Sequence, residues 1–364
     1  MKRKISLLLA VILLLTFFAG CKKTATEEDT QSSQGTNIGT TKQPNEPEEV
    51  DEKYTNLLTG LPTLTDEAVG KRPMAVMINN IKAALPQYGI SSADIMYEIV
   101  VEGGITRMMA IYGDYTKVPN VCSVRSCRYY YPIFAMGYDA VYFCFGGNTT
   151  LGYPTLKRLN MDYYDGKTYG TLLFDRDKNR LGKYATEHTG YLKGGNIPQA
   201  MEKDKKRTDL LDDKKTTAFN FRTKNAAPSS ESCTKVNVAF SNAYYSTFTY
   251  DKSDKLYYKQ HSGSKHMDSV SGEQLKYTNL FILQTDVHLY KDNKIMELDW
   301  TGGDGYYVSN GAVTEITWKK PTEKDSITYY DKATGEELKV NKGKSYIAVC
   351  KKGQATFSSD TSSN

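Results

Sequence analysis

The chain has 364 residues, room for two domains, and its 39% hydrophobic and 24% charged residues describe a globular body rather than wholesale disorder. The formal net charge is +5, much of it from Lys2, Arg3 and Lys4. No Lys/Arg block approaches a nucleic-acid arm, so a dedicated nucleic-acid binder is disfavoured, and one long apolar run, ended by Cys21, excludes a polytopic membrane protein.

Residues 1–21 divide into a basic start (Met1 to Lys4), an apolar run (Ile5 to Phe18) and the closing Ala19-Gly20-Cys21. The apolar run is short for a spanning helix, and small residues before a Cys form the lipobox of a bacterial lipoprotein. Cleavage would leave Cys21 as the N-terminus, its thiol carrying a diacylglycerol whose acyl chains are of the palmitate kind. Each buried acyl CH₂ contributes about 0.8 kcal/mol, so two or three chains would hold the protein at the extracytoplasmic face of the cell membrane. Residues 22–55 are polar and Pro-containing, without apolar periodicity, and are expected to be a disordered tether.

Residues 56–222 are expected to form an N-terminal α/β-like domain with a mixed sheet. Met74 to Ile78, Asp94 to Val101, Thr106 to Tyr112 and Ala140 to Phe145 read as buried strands. Arg128 to Met136 reads as a helix with an aromatic face. Ile197 to Leu211 reads as a surface helix, with Asn196 as N-cap and Pro198 in its first turn. Residues 223–235, with Pro and Ser, are the expected linker. Residues 236–352 are strongly β-patterned, with Gly, Asn and Asp turns, and are expected to be a C-terminal β-rich domain with its own core. The tail 353–364 is polar and expected to fray. The fold class is therefore α+β.

Several segments resemble the YerB-like lipoprotein family: RPMAVMINN, EGGITRMMAIY, SVRSCRYY and GYDAVYFCFGG in the first half, and KHMDSVSGEQLKYTN, GGDGYYVSNGAVTEITWKK and YYDKATGEELKVNKGKSYIAV in the second. The resemblance covers roughly residues 56–352 and implies a two-domain, membrane-tethered architecture without a defined activity. This chain has Cys122 and Cys127 where the family tends to have Gly and Ala. The family's Pro-His-Asn-Leu-Tyr motif appears here as Glu187-His188-Thr189-Gly190-Tyr191.

Arg125 and Arg128 flank Ser126, and Glu102-Gly103-Gly104 with Arg107 forms a further candidate at a strand end. Two guanidiniums beside a Ser suit bidentate recognition of a carboxylate or phosphate; the competing reading is a structural ion pair with Glu98 or Glu102. Asp175, Asp177 and His188 are the most enzyme-like set, able in principle to serve as general base and orienter. His266 and Asp268 share one face of a strand-like stretch and suit a ligand, a metal or a hydrogen-bonded turn. No HExxH, EF-hand loop or Walker motif occurs, and no cofactor or metal is expected. Setting Cys21 aside, Cys122, Cys127, Cys144, Cys233 and Cys350 remain, an odd number whose pairing is open. The leading expectation is a non-catalytic binding or scaffold protein for an anionic envelope ligand or an envelope protein. The alternative is an envelope hydrolase or transferase using His188 with Asp175 or Asp177.

Overall fold

The computed structural model describes residues 52–291 and 294–359; the lipobox with Cys21 and most of the expected tether lie outside them. No helix among the described residues is long and apolar enough to cross a membrane.

Strands β1 (Met74–Asn79), β2 (Ile95–Val100) and β3 (Thr106–Tyr112) are buried at every position. Both faces are covered, so their sequences run apolar without alternating. After the short β4 (Val121–Cys122) come α1 (Tyr130–Met136), β5 (Val141–Cys144), α2 (Gly152–Arg158) and β6 (Tyr163–Asp165). Then follow β7 (Phe174–Arg176), β8 (Gly190–Leu192) and α3 (Ile197–Lys203). Helix α3 has Pro198 in its first turn, as expected, but stops well short of Leu211. Lys205 turns left-handed at φ 50°, and the segment beyond is drawn to the sheet. Arg207 pairs with Asp139 at 2.6 Å, and the Leu210 amide donates to the Gly70 carbonyl at 3.0 Å.

The second half begins with β9 (Lys235–Ala239), β10 (Tyr245–Asp251), β11 (Leu256–His261), β12 (Ser264–Lys265) and β13 (Lys276–Tyr277). It continues with β14 (Asn279–Gln284), β15 (Gly302–Ser309), β16 (Ala312–Lys319), β17 (Thr328–Asp331), β18 (Ser345–Cys350) and β19 (Ala355–Ser358). The α+β class holds, but the expectation of two separate cores does not. A ten-stranded sheet runs β17-β16-β15-β14-β18-β2-β3-β1-β5-β6, and its centre is the parallel pair of β18 with β2, Ser345 opposite Ile95. Both strands are wholly buried, so each half supplies the other's missing neighbour.

A second sheet, β12-β11-β10-β9-β19 with β13 beside β11, packs on the large one. Phe248 of β10 meets Tyr346 of β18 at 4.6 Å between ring centroids, and Tyr306 of β15 meets Phe357 of β19 at 4.4 Å. The expected linker is tied down as well. Asn225 and Lys342 exchange two hydrogen bonds at 2.9 and 2.7 Å, Ala226 and Asn341 do the same at 2.8 and 2.9 Å, and Cys233 is fully buried. Residues 223–227 are nevertheless exposed, so proteolytic nicking there is the expected first internal cut. The two fragments are expected to co-elute on gel filtration with unchanged near-ultraviolet circular dichroism; separation into two folded pieces would refute the shared core.

Candidate functional site

Gly103 and Gly104 hold φ values of 73° and 68°, a left-handed pair that turns the chain between β2 and β3. This turn sets Glu102 beside the segment entering α1. Arg128 Nε donates to both Glu102 carboxylate oxygens at 2.9 and 2.8 Å, the ion pair that competed with an anion clamp. Glu98 has a different cation, Lys259. Arg107, at the start of β3, is almost wholly buried and donates to the Ser126 carbonyl. Ser126 Oγ donates to the Phe145 carbonyl at 3.1 Å. Arg125 Nη1 donates to the Glu187 carbonyl at 3.0 Å, while its buried Nε has no hydrogen-bond partner. Arg176 lies over the Phe145 ring at 4.4 Å.

The fold thus gathers Glu102, Arg107, Arg125, Ser126 and Arg128 and adds Arg176, which sequence reasoning missed because it arrives from β7. The guanidiniums feel one another. Burial first, then Arg128 and Arg125, pulls Arg107 down to about 10. Burial lowers Arg125 too; Glu187 opposes this, and Arg128 and Arg176 add to it. A site that presses cations together with few acids is one an anion would relieve.

The His188 group does not assemble. Asn79 Nδ2 donates to His188 Nδ1 at 2.9 Å, Asp177 accepts from Tyr88 OH at 3.0 Å, and Asp175 pairs with Lys193 at 3.1 Å. Burial, with Arg125 beside it, keeps His188 below its usual pKa. The described cysteines are free and buried, and burial pushes Cys122 up to about 11 and Cys127 to about 12, so neither is a ready nucleophile. No trio of His, Cys, Asp or Glu side chains placed to hold a metal occurs among the described residues.

A second polar group, between the sheets, escaped the sequence reading. Glu98 of β2 and Lys259 of β11 are both fully buried, 3.2 Å apart. Glu98 Oε2 accepts from Ser246 and Tyr346, each at 2.8 Å. Its Oε1 accepts from Asn80 at 2.9 Å and Thr106 at 2.8 Å. Lys259 Nζ lies 3.1 Å from His266 Nδ1, and His266 Nε2 lies 2.9 Å from Gln87 Oε1. The available signal was parity: β11 alternates, and Lys259 and His261 occupy its inward positions. Asp268 serves a turn instead, accepting from the Ile90 and Ser91 amides at 2.8 and 2.9 Å.

Comparison with known proteins adds a family context. The family models described as "Protein of unknown function (DUF3048) N-terminal domain" and "Protein of unknown function (DUF3048) C-terminal domain" match residues 58–207 and 236–347. "Putative lipoprotein YerB" of Bacillus subtilis (strain 168) is 30% identical over 268 residues, 72% of this chain and 77% of that protein. The crystal structure of YerB from Bacillus subtilis superposes with a TM-score of 0.71 at 26% identity, covering 83% of this chain and 98% of that one.

Proposed function

Since the chain belongs to the DUF3048 family, and its B. subtilis relative carries the name "Putative lipoprotein YerB", we propose that it is a lipid-anchored, non-catalytic binding protein of the extracytoplasmic membrane face. Cys21 carries the lipid, and the cluster around Arg125 receives an anionic envelope ligand through phosphate or carboxylate groups. The observation that carries the reading is Arg125 itself. It is crowded by Arg128 and Arg176, and its Nε is left without a partner. Arg107 backs it from the interior, and Arg128 is paired with Glu102, so a bound oxyanion gains charge-assisted hydrogen bonds chiefly from Arg125, of about 1.5–3 kcal/mol each. The enzyme alternative has no comparable support, because His188 makes no bond to Asp175 or Asp177.

The test is a thermal-shift titration with inorganic phosphate and sulfate. The wild type is expected to melt higher with either anion. Arg125→Ala is expected to melt normally when unliganded and to bind at least tenfold more weakly. Arg128→Ala informs less, because it also unpairs Glu102. A wild type indifferent to both anions, or an Arg125→Ala protein that responds in full, would sink the proposal.

A further inference from the structure

A cleft of about 1010 Å³ has walls that come from both halves of the chain. That volume is at the upper end of the about 300–1,000 Å³ typical of ligand pockets, room for several linked rings. One wall is the loop Tyr88–Ser92 with the loop Asp268–Glu273. It is built rigidly: Asp268 takes the Ile90 and Ser91 amides, the Ser269 amide donates to the Gln87 carbonyl at 2.9 Å, and Lys344 Nζ donates to the Ser91 carbonyl at 2.6 Å. The opposite wall is Asp175–Asn179 with Tyr191, and Asn120 lies on the exposed rim. Tyr88 OH bridges the two walls by donating to Asp177 at 3.0 Å.

We infer that this cleft binds an uncharged oligosaccharide. Its lining charges nearly balance, Asp175, Asp177, Asp268 and Glu273 against Arg176, Lys178 and Lys344, and its inner carboxylates are already engaged within the protein. Asp175 has Lys193, Asp177 has Tyr88 and the Asn179 amide, and Asp268 has backbone amides. The exposed charges at the rim, Lys178 and Glu273, are of opposite sign. A polyanion or polycation therefore finds little excess field here, although Arg176 is shared with the arginine cluster. Aliphatic lining is confined to Pro119 and Val270, and Val270 is 77% exposed, so no enclosed apolar hole awaits a peptide side chain.

What the cleft does present is tyrosine, hydroxyl, amide and carboxylate. Tyr88 and Tyr191 offer an apolar ring with a polar tip, a match for the C–H face and hydroxyl edge of a pyranose. Ser91, Ser92, Ser271 and Asn120 both donate and accept. The carboxylates of Asp175 and Asp177 retain free lone pairs, and hydroxyl groups donating to a carboxylate make short, strong bonds. A chain of sugar rings supplies such hydroxyls along its whole length. Because loops of both halves meet here, an occupant would also brace the two halves against each other.

Isothermal titration of the purified protein with chitotetraose, cellotetraose and maltotetraose tests the inference. At least one of these neutral tetrasaccharides is expected to bind saturably. Tyr191→Ala is expected to weaken it at least tenfold, and Asn120→Ala, at an exposed position that cannot threaten folding, several-fold. Arg125→Ala is expected to leave it unchanged, which separates this cleft from the anion site. Absence of binding by all three sugars, or binding insensitive to both Tyr191→Ala and Asn120→Ala, would overturn the inference. So would equal or tighter binding of tetraglutamate with the same sensitivity to these variants.

Discussion

Glu98→Leu, with Lys259 left in place, is expected to lower folding stability by about 3–5 kcal/mol, the usual consequence of stranding one member of a buried ion pair. A domain's entire stability is about 5–15 kcal/mol, so the loss is large. Glu98 lies where β18 from the second half joins β2 from the first, and its oxygens are fully engaged by Lys259, Ser246, Tyr346, Asn80 and Thr106. Burial alone would raise its pKa; Lys259 and His261, with the Tyr346 and Thr106 hydrogen bonds, outweigh burial and hold the carboxyl below its usual range. It is ionised at neutral pH, and Lys259 is its counter-charge. Lys259→Met is expected to cost a similar amount for the converse reason. The double variant is expected to recover most of the loss, because a well-filled apolar interface avoids the desolvation of two ions. Urea unfolding of the four proteins closes the cycle. Either single variant within about 1 kcal/mol of wild type would show that the pair is not the buried anchor described, since surface pairs contribute only about that much.

Acid is expected to act through the same interface before it reaches ordinary carboxylates. His261 is held down to about 4, first by burial, then by Lys259, with Glu98 opposing and Lys82 adding to the depression. His266 lies well below its usual value, from burial and then the charges of Lys259 and His261. In the unfolded chain both titrate near the ordinary histidine value of about 6.5. Through the window from about 6.5 down to about 4 the unfolded state therefore binds more protons, and stability falls as pH falls. Each histidine contributes a slope of up to about 1.4 kcal/mol per pH unit, so the pair contributes roughly 2.7. His188, also lowered, steepens the descent. Asp94, whose buried carboxyl is raised, works against it near the acid end. Urea midpoints at pH 7, 6, 5 and 4 measure the effect. His266→Gln is expected to flatten the curve relative to wild type, and a wild-type midpoint constant between pH 6.5 and 4.5 would contradict the burial of these rings.

The strands were the most legible part of the chain. Met74–Asn79, Thr106–Tyr112 and Val141–Cys144 are apolar because both their faces are covered, and such runs declare themselves without knowledge of their neighbours. Neighbours were the illegible part. Nothing in Ser345–Cys350 says that it pairs with Ile95–Val100 across some 250 residues, because parallel pairing leaves no turn to mark it. The pairing of an arginine at 125–128 with Glu102 was readable as a candidate because both segments sit at strand ends in the first half. The partner of Glu98 was not, since it comes from the other sheet. The shortened α3 was missed because residues 204–211 carry a helical pattern that bonds to Asp139 and Gly70 override.

The place of β18 also sets an order of events. Translation runs from the N-terminus, yet the strand that closes the middle of the large sheet ends only at Cys350. Until it emerges, β2 and β14 each expose an unpaired row of backbone groups and apolar side chains, an edge of the kind that recruits other chains. The nascent protein is thus committed to a long wait with its most adhesive surface uncovered, and the large sheet is complete only once β18 is in place. A premature stop anywhere before residue 345 removes more than a C-terminal segment: it leaves the first half with a sheet that nothing else in the chain can finish.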